Sequence, residues 1–298
     1  MRARHTRKTS KRRRWARRSA RLAVLFAAAT AALVALGAIV NIGERFAYFP
    51  SRDPFKTPDR YIDVSFKTED GLTLHGWFIP ARNRDTDTPA PAVLHAHGNA
   101  GNIKNHDAFS RFIADHAMHV LVFDYRGYGR SDDAPINRHT LLTDARAAYE
   151  FLRARPDVDP ERIGVYGMSL GGQPALQLAA REPDIRAVAT LSTFSTWEGI
   201  AHDYLPYLGP VIMHDGLDAV DAARRLADRP YWIAHGGSDF IVDARHAPIL
   251  ADAARRAGAD VELHTYPNGN HISMLWTHPE SAESLSEFFA RTLAPTGN

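Results

Sequence analysis

The chain has no cysteine among its 298 residues. This excludes a disulfide framework, cysteine-ligated zinc and an iron–sulfur cluster. It does not fix a compartment, because a cysteine-free chain survives anywhere. Acidic residues are absent from residues 1–21, which hold eleven Lys/Arg. The remainder carries 25 basic against 34 acidic residues, so the net charge of +2 describes a basic tail on an acidic body. The overall charge therefore gives no ground for nucleic-acid binding by the body. There is no internal repeat, and no low-complexity run lies beyond the tail. Hydrophobic residues at 45% and charged residues at 23% exclude wholesale disorder, a collagen-like chain and a polytopic membrane protein.

One long uncharged run is present, over residues 22–43, with eight alanines among Leu, Val, Ile and Phe. As a helix it would be roughly 33 Å long, enough to cross a bilayer core. It shows no polar stripe, which argues against a buried soluble helix. The expectation is a tail over 1–21, a single-pass membrane anchor over 22–43 and a connector over 44–60. The positive-inside rule then keeps the tail cytoplasmic and puts the body on the non-cytoplasmic side. The alternative is a signal peptide cleaved near Ala35-Leu36-Gly37, which would leave the body secreted.

From residue 61 the pattern changes. Two β-rich runs, 61–68 and 72–80, flank Glu69-Asp70-Gly71 and read as a hairpin. Short apolar strands at 92–97, 120–125, 162–167, 187–191, 231–235 and 261–265 then alternate with helices at 103–117, 140–155, 170–181, 244–257 and 279–293. Residues 192–230 read as irregular. Strands alternating with helices imply an α/β domain over 61–298, a mostly parallel eight-stranded sheet with helices on both faces and an antiparallel leading edge.

The strand at 162–167 runs into Gly167-Met168-Ser169-Leu170-Gly171 and then into a helix. The pentapeptide is weak by itself, but between a strand and a helix it describes a sharp turn that presents a nucleophile. A serine hydroxyl needs a base to remove its proton. Fifteen histidines compete for that role, and position selects His271, in the loop after the last strand, with His264 and His278 as neighbours. The acid belongs after an intermediate strand, which selects Asp239, with Asp243 as the nearest substitute. Ser169, Asp239 and His271 follow in the chain order expected on such a sheet. An oxyanion hole would combine the backbone N–H of Leu170 with one from the loop after 92–97, that of Asn99. His95 and His97 share one strand face, but no third ligand accompanies them, so no metal site is expected. Phosphate-loop readings fail: Gly98 to Gly101 lacks a following Lys-Ser/Thr, and Gly127-Tyr128-Gly129 lacks a third glycine.

These segments, HGNAGNI (97–103), FDYRGYGRS (123–131), RIGVYGMSLGG (162–172), LSTFSTW (191–197), HGGSDFIV (235–242) and GNH (269–271), together with RFAYFPSRDPF after the anchor, resemble the α/β-hydrolase superfamily. More narrowly, they resemble the Bem46-like group of membrane-anchored hydrolases. The resemblance covers residues 46–293. It implies the α/β-hydrolase fold, no cofactor, and ester, thioester or amide hydrolysis through an acyl-enzyme. One departure is that Asp243-Ala244 stands where the group usually has a proline.

Residues 192–230 would form a small cap. Its aromatics Phe194, Trp197, Tyr204 and Tyr207 are the candidate acyl or leaving-group pocket, with packing onto the sheet edge as the alternative. The expectation is thus a membrane-tethered serine hydrolase of carboxylic esters, with a small acyl ester or lipid-like molecule as substrate and no nucleic-acid partner. The same triad would serve an amidase, aminopeptidase or thioesterase. A non-catalytic binding protein on this fold is the rival from another class, and the intact Ser, Asp, His order argues against it.

Overall fold

The computed structural model describes residues 15, 17–32, 42–82, 88–214, 216–271 and 273–295. Eight strands form one sheet: β1 (Ile62–Lys67), β2 (Thr73–Ile79), β3 (Ala90–Ala96), β4 (His119–Phe123), β5 (Val158–Met168), β6 (Ile185–Leu191), β7 (Tyr231–Gly236) and β8 (Val261–Tyr266). Their spatial order is β1-β2-β4-β3-β5-β6-β7-β8. β1 and β2 pair antiparallel from Ile62↔Phe78 to Lys67↔Thr73, and Gly71 supplies the positive φ of +88° that the turn needs. β2 meets β4 antiparallel, and every later pair is parallel.

The central strands are apolar throughout because both faces are covered. On β4, Leu121 and Phe123 join one core layer, whereas Val120 and Val122 join the other. The first layer packs α3 (Arg138–Arg153), α4 (Gly172–Ala179), α7 (Ala219–Ala223) and α8 (His246–Arg256). The second packs α2 (Ala108–Asp115) and α10 (Glu280–Thr292). The run expected as one helix over 103–117 divides into a 3-10 turn, Ile103–Asn105, and α2. The Asn102 side chain caps the first piece.

Residues 192–230 are not irregular: α5 (Trp197–Tyr204), α6 (Gly209–Ile212) and α7 lie within them. Thr196 caps α5 by accepting from the N–H of Gly199. These helices escape a periodicity reading because they are short and face two ways. Trp197, Ile200 and Ala201 each touch both the core and a cavity.

Two N-terminal expectations meet a different arrangement. Helix α1 covers 17–32, is exposed along its length and carries Arg17, Arg18 and Arg21 in its first turns. Residues 33–41 of the expected span lie outside the described residues. Among the described residues no helix is long and apolar enough to cross a membrane. The single-pass anchor over 22–43 is therefore not borne out, and the side-of-membrane placement built on it falls away. The expected connector over 44–60 is held on the body in its first part. A 3-10 turn, Ile42–Phe46, begins a segment that lies on the body as far as Phe55, which packs edge-on against Trp77.

Candidate active site

β5 leads straight into Ser169, whose backbone sits in the left-handed region at φ +52°. A 3-10 turn, Ser169–Gly171, then opens α4. This geometry needs room on both sides. A Cβ on Gly167 would lie 2.5 Å from the carbonyl oxygen of Gly171, and one on Gly171 would lie 1.9 Å from that of Ala96. The two glycines are thus required by close backbone approach. Their spacing around the serine follows from the turn itself.

His271 sits in the loop after β8, with its Nε2 3.0 Å from the Ser169 Oγ and its Nδ1 2.7 Å from the Asp239 Oδ2. Asp239 occupies the turn after β7. Its side chain is fully buried, and its Oδ1 accepts from the N–H groups of Ile241 and Val242, both at 2.9 Å. Burial would raise the Asp239 carboxyl, but hydrogen bonds from His235 and His271 outweigh it and hold the group well below the usual carboxylate range. The loops that carry His271 and Asp239 are set against each other. A Cβ on Gly236 would meet the Gly269 carbonyl oxygen at 2.4 Å, and the Ser238 N–H donates to that oxygen at 2.9 Å. The named substitutes are placed elsewhere. Asp243 is exposed and accepts from the N–H of Arg245, His264 pairs with Glu262, and His278 with Glu280.

His235 was not singled out from sequence. It lies behind the acid, with Nε2 2.9 Å from the Val242 carbonyl and 3.4 Å from the Asp239 Oδ2. Because a carbonyl only accepts, Nε2 carries the proton. The sequence signal was its place at the end of β7, inside HGGSD.

Ser169 and His271 line a cavity of about 1000 Å³. Asn99 and Leu170 line it too, as do Phe194, Trp197 and Tyr204. Tyr207 does not: its side chain is 97% exposed, because the turn between α5 and α6 carries it away from the body. Sequence reasoning also missed part of the lining. Phe46 and Phe49 come from the segment expected as a connector, and Trp276 from α9 (Met274–Thr277). Aromatic density in 46–49 was the available signal. The Asn99 side chain is engaged on three sides. Its Oδ1 accepts from the Phe49 N–H at 3.0 Å and the Tyr128 hydroxyl at 2.9 Å, and its Nδ2 donates to the Ala47 carbonyl at 2.6 Å.

A second Ser-His-Asp set lies beneath the cap. The His246 Nδ1 is 2.8 Å from the Ser195 Oγ and its Nε2 is 3.0 Å from Asp203. The same Nδ1 accepts from the Ser195 backbone N–H at 3.1 Å. A nitrogen committed to a backbone donor cannot take the hydroxyl proton without losing that bond. Ser195 is buried and does not line the cavity, so this set ties α5 to the start of α8.

Residues 91–211 match the family model described as the alpha/beta hydrolase fold. The Escherichia coli (strain K12) protein YfhR is 31% identical over 238 residues, covering 78% of this chain and 82% of that protein. Protein bem46 of Schizosaccharomyces pombe is 28% identical over 253 residues, 80% of this chain and 83% of its own. An esterase of Pyrococcus furiosus superposes with a TM-score of 0.71 at 19% identity, covering 83% of this chain and 99% of that one, a likeness of fold. Sheet order and these relationships converge: the chain belongs to the α/β-hydrolase family, with bem46 among its relatives.

Proposed function

We propose that this α/β hydrolase is a serine esterase that cleaves small carboxylic esters through an acyl-enzyme. The observation that carries the reading is the hydrogen-bonded line Ser169–His271–Asp239 at the wall of an apolar cavity. Asp239, ionised, accepts from the Nδ1–H of His271. That tautomer leaves the Nε2 lone pair facing the Ser169 hydroxyl. Ser169 Oγ attacks the ester carbonyl as its proton passes to Nε2, and the buried carboxylate stabilises the imidazolium. The N–H groups of Leu170 and Asn99 receive the oxyanion. Collapse expels the alcohol, which takes the proton back from Nε2. Water, deprotonated by the same nitrogen, then releases the acid and restores Ser169.

The test is labelling by a fluorophosphonate probe, with acyl esters as substrates. Ser169→Ala should lose labelling and lower kcat by about 10⁶ while the far-ultraviolet circular dichroism stays that of the parent. Activity of the alanine variant within about tenfold of the parent would sink the assignment. A matched amide series run beside the esters should be the poorer substrate set.

A further inference from the structure

Residues 43–49 stand between two parts of the site that the sequence keeps far apart. On one side they meet the cap: a Cβ on Gly43 would lie 2.8 Å from the carbonyl oxygen of Ile212 in α6. The buried Glu44 carboxylate accepts from the Arg138 N–H at 2.6 Å and from the Tyr48 hydroxyl at 2.8 Å, and lies 3.3 Å from the Arg138 guanidinium. Arg138 in turn donates to the carbonyls of His214 and Gly216 and sits over the Trp197 ring. On the other side the segment runs beside the loop after β3. Gly101 donates to the Phe49 carbonyl at 3.2 Å, and the Ser51 N–H donates to the Gly101 carbonyl at 2.8 Å. Asn99 spends its whole side chain on Ala47, Phe49 and Tyr128. Between these two attachments Phe46 and Phe49 line the cavity while remaining 75% and 63% exposed. Single exposed apolar side chains are common, but these two share one cavity with Ser169.

We propose that residues 43–49 are the specificity element of this site, with Phe46 and Phe49 forming the wall against which an apolar chain of the ester lies. In this arrangement Asn99 is a positioning residue whose side chain sets that wall and the oxyanion loop together. The inference rests on the serine-esterase reading. At about 1000 Å³ the cavity stands at the upper end of small-molecule sites, roughly 300–1000 Å³. It admits a longer chain than a small cap alone would enclose, because the N-terminal segment supplies the missing wall.

The test uses the full chain and two p-nitrophenyl or acetate ester series, one graded in acyl length and one in alcohol length. Phe46→Ala and Phe49→Ala remove apolar contact with the chain. Each should lower the ratio of long-chain to short-chain kcat/KM by about tenfold in one series. Phe46→Trp should narrow the wall and move the optimum to shorter chains. Asn99→Ala should instead lower kcat across all lengths, with Asn99→Asp restoring little, because the amide donor to Ala47 is lost. Ratios unchanged within about twofold in both series would overturn the proposal, provided the parent still labels with fluorophosphonate at Ser169. A parent that fails to label would instead overturn the esterase reading on which it rests.

Discussion

At the scale of single residues, the site depends on atoms placed where only one residue type serves. Ser169 holds a left-handed backbone because Gly167 and Gly171 leave it room. If the proposed roles hold, His271→Ala should cost nearly as much as loss of the serine, whereas His264→Ala and His278→Ala should stay within about tenfold of the parent. Asp239→Asn should cost about 10⁴ in kcat, since an amide donor facing Nδ1 selects the wrong tautomer. Ester-hydrolysis kinetics on the four variants check both statements, and an Asp243→Asn loss exceeding that of Asp239→Asn would reassign the acid. Two further histidines bear on stability. His95 and His97 are fully buried, and burial pushes each imidazole from 6.5 down to about 3. The native state stays neutral where the unfolded chain takes up protons. Their contribution is therefore whole above pH 6.5 and is lost as pH falls from 6.5 towards 3, by roughly 1.4 kcal/mol per pH unit for each ring. Urea midpoints should hold between about pH 7.5 and 6.5 and fall from there to about pH 5, and a flat series over the lower interval would contradict this burial. The strand–turn–helix at Ser169 was legible in sequence because strand, small residues and helix are contiguous. His235 was not, since its role exists only where β7 meets the Asp239 turn.

At the scale of elements, the cap shows how side-chain hydrogen bonds replace a local pattern. Gln173 of α4 donates to the Phe194 carbonyl at 2.6 Å and accepts from the Ala219 N–H at 2.9 Å, which fixes the cap to α4 at two points. His246 fixes α5 from the other side through Ser195 and Asp203. Replacing His246 by alanine leaves the buried Ser195 N–H without its acceptor and opens a gap, while Asp203 keeps Arg245, at a cost of about 2–3 kcal/mol. Thermal unfolding should show a Tm several degrees lower, with fluorophosphonate labelling of Ser169 retained. Lost labelling with an unchanged Tm would make the buried set, and not Ser169–His271–Asp239, the working one. The central strands were readable as short apolar runs because both their faces are buried, and the long helices from periodicity because each buries one repeating face. α5 and α6 were not readable, because four to eight residues shared between core and cavity carry no repeat.

At the scale of the whole molecule, charge clusters join segments distant in sequence. Arg126 is buried with Asp144 of α3 at 2.7 Å and reaches Asp70 of the β1–β2 turn at 2.7 Å. Arg126→Met would leave the fully buried Asp144 carboxylate without its partner, costing about 3–5 kcal/mol. Arg126→Met combined with Asp144→Leu should recover most of that loss. Calorimetric Tm values for the two variants decide it: equal loss in both would mean that the pair is not coupled. The same long-range logic separates what each level of description determines. Sequence alone determined the alternation of strands and helices, the antiparallel leading hairpin and the strand-to-helix turn that holds Ser169. These follow from local propensity, contiguous burial and chain direction. Tertiary structure alone decided that residues 43–49 wall the cavity, that Tyr207 points away from it, and that the histidine behind Asp239 is His235. Each of these depends on which segments meet across tens of residues, and no periodicity along the chain encodes such a meeting.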